Sequence, residues 1–329
     1  MKKITLITTV LNDEEGIKDL FNALLCQITQ PDEVIVVDGG SKDNTVATLE
    51  SYLANFTRLR ILHAPNTNIS QGRNLAISNA SYPIIAVTDA GCRPDKNWLF
   101  EITKPLLEGD EVDAVSSKII AKTNTTLEHY SGLLSLPDHA TKEQEELFYG
   151  RGSAFRKTLW EKVGGYPEWL YTAEDSLFAL AAKKKGFSIL YNPKAIIFWR
   201  PRNSLRKIAK MFFLYGKGNG RIAWGGEIKG VFYWLRNHIL LLLSFILGFI
   251  YPFIWLVTAF IALYLYKLIA YPSLIKIRII DKDWRREFYV PLITFVRNIS
   301  SNLGYLSGFI EYKTNPIFKN NLDKYLGNN

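Results

Sequence analysis

The chain opens on an apolar run of strand length, Ile4-Thr-Leu-Ile-Thr-Thr-Val-Leu11. Over residues 16–27, Ile17, Leu20, Phe21, Leu24 and Leu25 then recur at the spacing of an amphipathic helix. Pro31 breaks the pattern before a β-branched strand, Val34 to Val37, which stops at Asp38-Gly39-Gly40-Ser41. Val46, Leu49, Tyr52, Leu53 and Phe56 give a second helical stripe, and strands near 59–63 and 84–88 flank a short helix over 72–79. Such alternation predicts an α/β domain with a mostly parallel sheet, helices on both faces and ligands at the carboxyl ends of the strands.

From residue 113 the pattern is mixed. A strand over Ala114–Ile120 is followed by a polar stretch to Glu146, the segment Gly150-Arg-Gly-Ser-Ala-Phe155, and a short helix closed by Gly164-Gly165. Another helix starts at Glu174 and ends on Lys183-Lys184-Lys185-Gly186, cations and glycine at its C-terminus. Residues 187–199 read as two short strands around Asn192-Pro193.

Beyond residue 203 the chemistry changes. Residues Ile239 to Tyr266 are 28 in a row without a charge. As one helix they would measure about 42 Å, well over a hydrocarbon core of roughly 30 Å. Pro252 lies near the middle, and six basic residues follow between Lys267 and Arg286. A hairpin over 231–250 and 252–271 returns that basic segment to the cytoplasmic side, as the positive-inside rule prefers. Residues 204–230, with cations among Leu205, Ile208, Met211, Phe212 and Phe213, read as an interfacial amphipathic segment. Residues 272–329 hold the rest of the basic loop, a third apolar segment (288–310) with Gly304-x-x-x-Gly308, and a polar tail. That third segment either spans against the hairpin through its glycines or lies at the interface.

In the whole chain of 329 residues, 40 basic and 31 acidic side chains leave a formal charge of +9. Because the excess flanks the apolar run, it points to a membrane partner and not to nucleic acid. Cys26 and Cys92 form no disulfide framework or zinc cluster and read as buried thiols of a reducing compartment. The N-terminus lacks a cleavage site, so the expected location is a multi-pass cell-membrane protein with its front domain in the cytoplasm.

Strand one ends at Asn12-Asp13, strand two at Asp38 and the strand near 84–88 at Asp89. Neither Gly-x-Gly-x-x-Gly nor Gly-Lys-Ser/Thr follows strand one, which sets aside dinucleotide-binding and P-loop folds. Instead, Ile4 to Asn12, Val36-Val-Asp-Gly-Gly-Ser-Lys-Asp-Asn-Thr45, Gln71-Gly-Arg-Asn-Leu-Ala76, Val87-Thr-Asp-Ala-Gly91, Gly150 to Arg156 with Val163-Gly-Gly-Tyr166, and Glu174-Asp175 resemble the ordered motifs of the family 2 glycosyltransferases of GT-A fold. The resemblance covers about residues 4–200.

It implies a nucleoside-diphosphate sugar as donor, bound by Thr9, Leu11, Asn12, Asp38, Ser41, Arg73, Asp89 and Ala90. Asp38-Gly39-Gly40 equally has the form of an Asx turn, and Arg73 that of a solvated first-turn residue. Asp89 matches the first residue of an Asp-x-Asp element that holds Mg2+ or Mn2+ on the diphosphate, but here the element reads Asp89-Ala90-Gly91-Cys92 and the second carboxylate is missing. One or two carboxylates suffice when phosphates and waters complete the shell. Arg151, Gly152 and Ser153, with Trp199, Arg200 and Arg202, are expected at the donor or acceptor pocket; the two late arginines suit either a leaving diphosphate or lipid headgroups. The resemblance puts the catalytic base at Glu174-Asp175, with Asp175 preferred; capping of the helix is the structural alternative.

The function expected is inverting, hexosyl-type transfer to a lipid-linked or glycan acceptor. Two readings stay open beside it: synthesis of a polyprenyl-phosphate sugar, and a catalytically silent sugar-nucleotide-binding scaffold. The sequence names neither the sugar nor the oligomeric state.

Overall fold

The structure is a computed structural model described over residues 3–136, 147–223 and 228–327. Within it, residues 3–122, 147–200 and 323–327 form one compact unit, and 123–136, 201–223 and 228–322 form another. The sequence divides the chain after residues 203, 230 and 271. In the structure the early segment 123–136 belongs with the later helices, and the chain's last residues rejoin the first unit. Composition along the chain is blind to such exchanges, because they join segments more than a hundred residues apart.

In the first unit, β1 (Ile4–Val10), β2 (Glu33–Asp38), β3 (Leu59–His63) and β4 (Ile84–Val87) pair in parallel in the order β3-β2-β1-β4. Every residue of β2 and β4 is buried, as a sheet covered on both faces requires. The crossovers carry α1 (Glu14–Leu25), α2 (Thr45–Ser51) and α3 (Ile69–Ser78). The Asp13 carboxylate caps α1 by accepting from the Gly16 amide at 3.1 Å, and Ile17, Leu20, Phe21 and Leu24 turn into the core. Helix α3 starts three residues before the predicted position, because Asn68 and Gln71 form a reciprocal capping box.

After β4 come β5 (Cys92–Pro94), α4 (Trp98–Glu108), β6 (Ala114–Ala121), α5 (Thr126–Ser135), β7 (Ser153–Arg156), α6 (Lys157–Val163), α7 (Glu174–Lys184) and β8 (Ile189–Trp199). Helix α5 belongs to the second unit and was read as polar chain; its Thr125/Glu128 capping box is the signal that finds it. The full sheet order is β3-β2-β1-β4-β7-β6-β8-β5. Strand β7 runs antiparallel between β4 and β6, and β5 antiparallel to β8, so the sheet is mixed. Residues 187–199 give one strand and not two, with a break in register where Ser117 pairs Asn192 and Lys118 pairs Ile196. Beneath the sheet Phe148, Phe155 and Phe178 meet at 5.5–5.7 Å between ring centres. Each such buried ring contributes about 1.5–3 kcal/mol. Cys92 is buried as expected, but Cys26 is exposed, since it ends α1 off the apolar stripe.

The second unit contains α8 (Leu205–Arg221), α9 (Ile228–Gly248), α10 (Ile254–Ile280), α11 (Arg286–Thr314) and most of α12 (Pro316–Leu326). Helices α9 and α10, of 21 and 27 residues, are long and apolar enough to cross a membrane, and only 17% and 22% of their most apolar stretches are buried. The chain reverses around Pro252, as the sequence predicts. Helix α10 continues past Lys267 through a π-turn at Tyr266–Ala270, so Lys276 and Arg278 sit on helix and not in a loop.

The apolar segment 288–310 lies within α11, and its glycines meet α8, not the hairpin. A Cβ at Gly304 would enter the backbone at Phe213, and one at Gly308 the backbone at Lys217. Gly216 and Gly220 stand in the same relation to Ser301 and Tyr305. The paired positions rise together, so the two helices run parallel in backbone contact. Ile208 and Met211 of α8 are buried in protein.

Candidate active site

Each residue of the run Gln71-Gly72-Arg73-Asn74 on α3 has a distinct task. Gln71 completes the capping box. Gly72 lets the helix approach β1, because a Cβ there would stand 2.8 Å from Thr9 Cγ2. Asn74 Oδ1 accepts from the Trp160 indole at 2.9 Å and the Tyr166 amide at 2.8 Å, while its Nδ2 donates to the Tyr166 carbonyl and Glu168. The loop after α6 is thereby fixed to α3.

Arg73 is the centre of the site. Its side chain is 2% exposed and joins Asp89 at 2.8 Å to Glu174 at 3.0 Å. Tyr166 lies under the guanidinium, 5.3 Å from the ring centre. Arg73 is buried and not solvated, and its cation is shared by two carboxylates. A Cβ at Gly150 would run into the guanidinium, so that glycine makes room for Arg73. Gly152 is likewise demanded by packing, with Ile197 Cδ1 and Ser117 Oγ each 2.8 Å from where its Cβ would lie.

Burial opposes the Arg73 cation, but Asp89 and then Glu174 outweigh it and hold its pKa above the usual value. Burial also pushes the Glu174 carboxyl up to about 7, with Asp175 adding to the rise and Arg73 opposing it. Desolvation therefore outweighs the ion pair at Glu174, whose arginine is divided between two acids. The Cys92 thiol is pushed up to about 12 by burial and then by Asp89, so it is no nucleophile.

Asp175 differs from its neighbour. It is half-buried, and its Oδ2 accepts from the Gly150 amide at 3.2 Å while Oδ1 accepts from Ser176 at 2.7 Å. Ala173, which precedes the pair, has φ +66° and gives α7 no side-chain cap. A non-glycine residue in that region costs on the order of 1–3 kcal/mol, and such strain gathers at functional sites. Asn12 at φ +51° repeats the feature at the end of β1.

Asp38 is buried, with its oxygens 3.1 Å from the Gly40 and Ser41 amides, so the Asx turn is present. His63 stands 3.8 Å from it, a neighbour the sequence reading missed. Asn12 and Ser41 are tied together, the Asn12 amide donating to Ser41 Oγ and Asn12 Oδ1 accepting from Lys42. Leu11 beside them is 55% exposed, while Thr9 and Ala90 are half-buried. These residues line the carboxyl ends of β1, β2 and β4.

Thr88 donates to the Arg151 carbonyl at 3.1 Å, and the Arg151 guanidinium covers the Trp199 ring at 4.6 Å. Ser153 is fully buried within β7. Arg200 is exposed just past β8, whereas Arg202 falls in the second unit. Tyr149 and Tyr166 were not singled out; burial, then Asp175, raises the Tyr149 phenol, and burial raises Tyr166.

For a divalent cation the chain offers Asp89, 31% exposed, with one oxygen committed to Arg73. Among the described residues no group of three or more metal-binding side chains exists. That donor set suits a cation carried largely by substrate phosphates and water. A groove of about 630 Å³ beside Asn74, Trp160 and Glu168 includes none of Arg73, Asp89 or Asp175.

The fold and the motifs at its strand ends define a glycosyltransferase of GT-A type. Residues 5–164 match the model of Glycosyl transferase family 2, the family that the motifs resemble. Glycosyltransferase AglE of Haloferax volcanii is 27% identical over 222 residues, 65% of this chain and 72% of AglE. The O-antigen chain rhamnosyltransferase RfbN of Salmonella typhimurium is 27% identical over 208 residues, 59% of this chain and 65% of RfbN, less than two thirds of that relative. The fold is similar over 93% of this chain to a mannosyltransferase from Pyrobaculum calidifontis, solved with GDP-Man and Mn2+, with 87% of that chain covered, 18% identity and a TM-score of 0.57.

Proposed function

We propose that the chain is an inverting glycosyltransferase that moves a hexosyl-type sugar from a nucleoside diphosphate to a lipid-linked or glycan acceptor. The observation that carries this reading is the chain of contacts from Asp89 through Arg73 to Glu174 and on to Asp175. It couples the strand end where a donor diphosphate would lie to the carboxylate suited to take a proton.

Asp175 is the general base. Its partly exposed carboxylate takes the proton of the acceptor hydroxyl as that oxygen attacks the anomeric carbon from the face opposite the diphosphate. The new glycosidic bond forms as the bond to the diphosphate breaks, and configuration inverts. Glu174 is a positioning residue, buried against Arg73. Thr9, Leu11, Asn12, Asp38 and Ser41 border the nucleotide, and Arg151, stacked on Trp199, meets the donor or acceptor. Asp89 would hold Mg2+ or Mn2+ together with the donor's phosphates; such a cation supplies neutralisation of the leaving group. The mannosyltransferase of similar fold, solved with GDP-Man and Mn2+, supports both donor class and metal.

Helices α9 and α10 anchor the protein, with the catalytic unit on the cytoplasmic side. Their apolar surfaces are largely uncovered, and a core helix of a water-soluble fold would be buried. The test is a panel of UDP-, GDP- and dTDP-sugars with purified, detergent-solubilised protein, with and without Mg2+ or Mn2+. Donor binding together with turnover lost in Asp175→Asn is the expected result. No binding and no turnover across the panel would leave the silent scaffold as the better reading.

A further inference from the structure

Arg297 lies mid-helix in α11, where a cation needs a reason. It is partly exposed, and its one hydrogen bond is from Nη1 to the Leu134 carbonyl of α5 at 2.8 Å. No carboxylate among the described residues pairs with it. A guanidinium carries five N–H donors, so most of its capacity is unspent.

Its surroundings share that state. Val290, Ile293, Thr294 and Arg297 share one stripe of α11, and Leu127, Tyr130, Ser131 and Leu134 one stripe of α5; their apolar members form a common cluster. On these two helices the hydroxyls of Ser131, Ser135 and Thr294 are buried without a hydrogen-bond partner. Ser131 and Ser135 lie within about one helical turn of the Leu134 carbonyl, and Thr294 about one turn before Arg297. Buried polar groups are ordinarily satisfied, and hydroxyls left open on the same two helices that Arg297 bridges call for an occupant. Hydroxyls and a guanidinium with no carboxylate partner among the described residues form a donor set for an anion of several oxygens. By contrast, Arg221 and Lys217 on neighbouring α8 are both neutralised by Glu311.

We infer that Arg297, with the hydroxyls of Ser131, Ser135 and Thr294, forms a phosphate-binding site in the helical unit, for the phosphate of a lipid carrier or for free phosphate. The lipid source rests on the proposal of a lipid-linked acceptor, and the anion site itself does not. The partial exposure of Arg297 leaves an approach for a headgroup, and the apolar α9 and α10 belong to the same unit.

The experiment measures binding of farnesyl phosphate, farnesol and inorganic phosphate to the full chain in neutral detergent. Farnesyl phosphate is expected to bind about ten-fold or more tighter than farnesol, and Arg297→Gln to abolish that advantage, with Arg297→Lys retaining part of it. Inorganic phosphate binding as tightly as the lipid supports the anion site and assigns it to free phosphate. Should Arg297→Gln fail to fold, the double change Ser131→Ala with Thr294→Ala is expected to weaken phosphate binding about three-fold or more. Equal binding of farnesol and farnesyl phosphate, or undiminished phosphate affinity in Arg297→Gln, would overturn the proposal. Association of the wild-type chain with neutral lipid vesicles is scored separately, so failure of the membrane reading is told apart from failure of this site.

Discussion

Two arginines divide the molecule. In the catalytic unit Arg73 is neutralised within the chain by Asp89 and Glu174, and glycine at position 150 makes its room. In the helical unit Arg297 has a single backbone carbonyl, and helices α9 and α10 leave most of their apolar surface uncovered. The first unit is complete in itself apart from its substrates. The second is built for surroundings that the chain does not supply. Burial thus means different things in the two places: at Arg73 it fixes geometry, and around Arg297 it leaves a demand for a partner.

The sharpest way to break the catalytic half of this comparison is Asp175→Asn. Transfer is expected to fall by about 10²–10⁴-fold, the usual worth of a general base, while donor binding persists. Labelled-sugar transfer and donor titration on the same preparation check this, and wild-type transfer would remove Asp175 from the mechanism.

Next in size is Arg73→Ala, which strands Glu174 and Asp89 without their cation. Removing one partner of a buried pair costs about 3–5 kcal/mol, to be read from urea denaturation of the catalytic unit's transition. A loss below about 1 kcal/mol would mean that the interlock contributes little beyond a surface pair. In the helical unit, Gly304→Leu forces a side chain into the backbone of α8, with an expected cost of about 1–3 kcal/mol. Its effect should appear in the unfolding of the helical unit while donor affinity stays at the wild-type level.

A further effect is a pH dependence. An ordinary glutamate titrates near 4.5, and Glu174 is pushed up to about 7, so the fold favours its protonated form. Its stabilising contribution is fully present below about 4.5 and is lost as pH rises through about 7. Glu174→Gln is expected to flatten that fall between roughly pH 5 and 8, measured as urea midpoints. An unchanged slope would assign the titration to another group.

How far the sequence could be read depended on whether a feature is local. Strands β1 to β4 and helix α1 are legible, because apolar runs and a 3.6-residue stripe report burial directly, and Pro252 marks the turn between α9 and α10. The ordered motifs named the family before any coordinates. The antiparallel insertion of β7 between β4 and β6 was not legible, since strand pairing across tens of residues leaves no periodic trace. Nor was the partner of Gly304 and Gly308: the α8 glycines that meet them were present in the sequence, but their pairing is a contact in space.

The residue types at the site were determined by the sequence alone: a carboxylate at the end of each of β2 and β4, an arginine early in α3, and Glu174-Asp175 at the head of α7. Tertiary structure decided their states. It set Arg73 as a clamp between two acids, separated a buried Glu174 from a half-exposed Asp175, and left Arg297 without a carboxylate partner among the described residues. The reason is electrostatic. A side chain's charge and reach are fixed by its chemistry, but its solvation and its partners are set by what the fold packs around it.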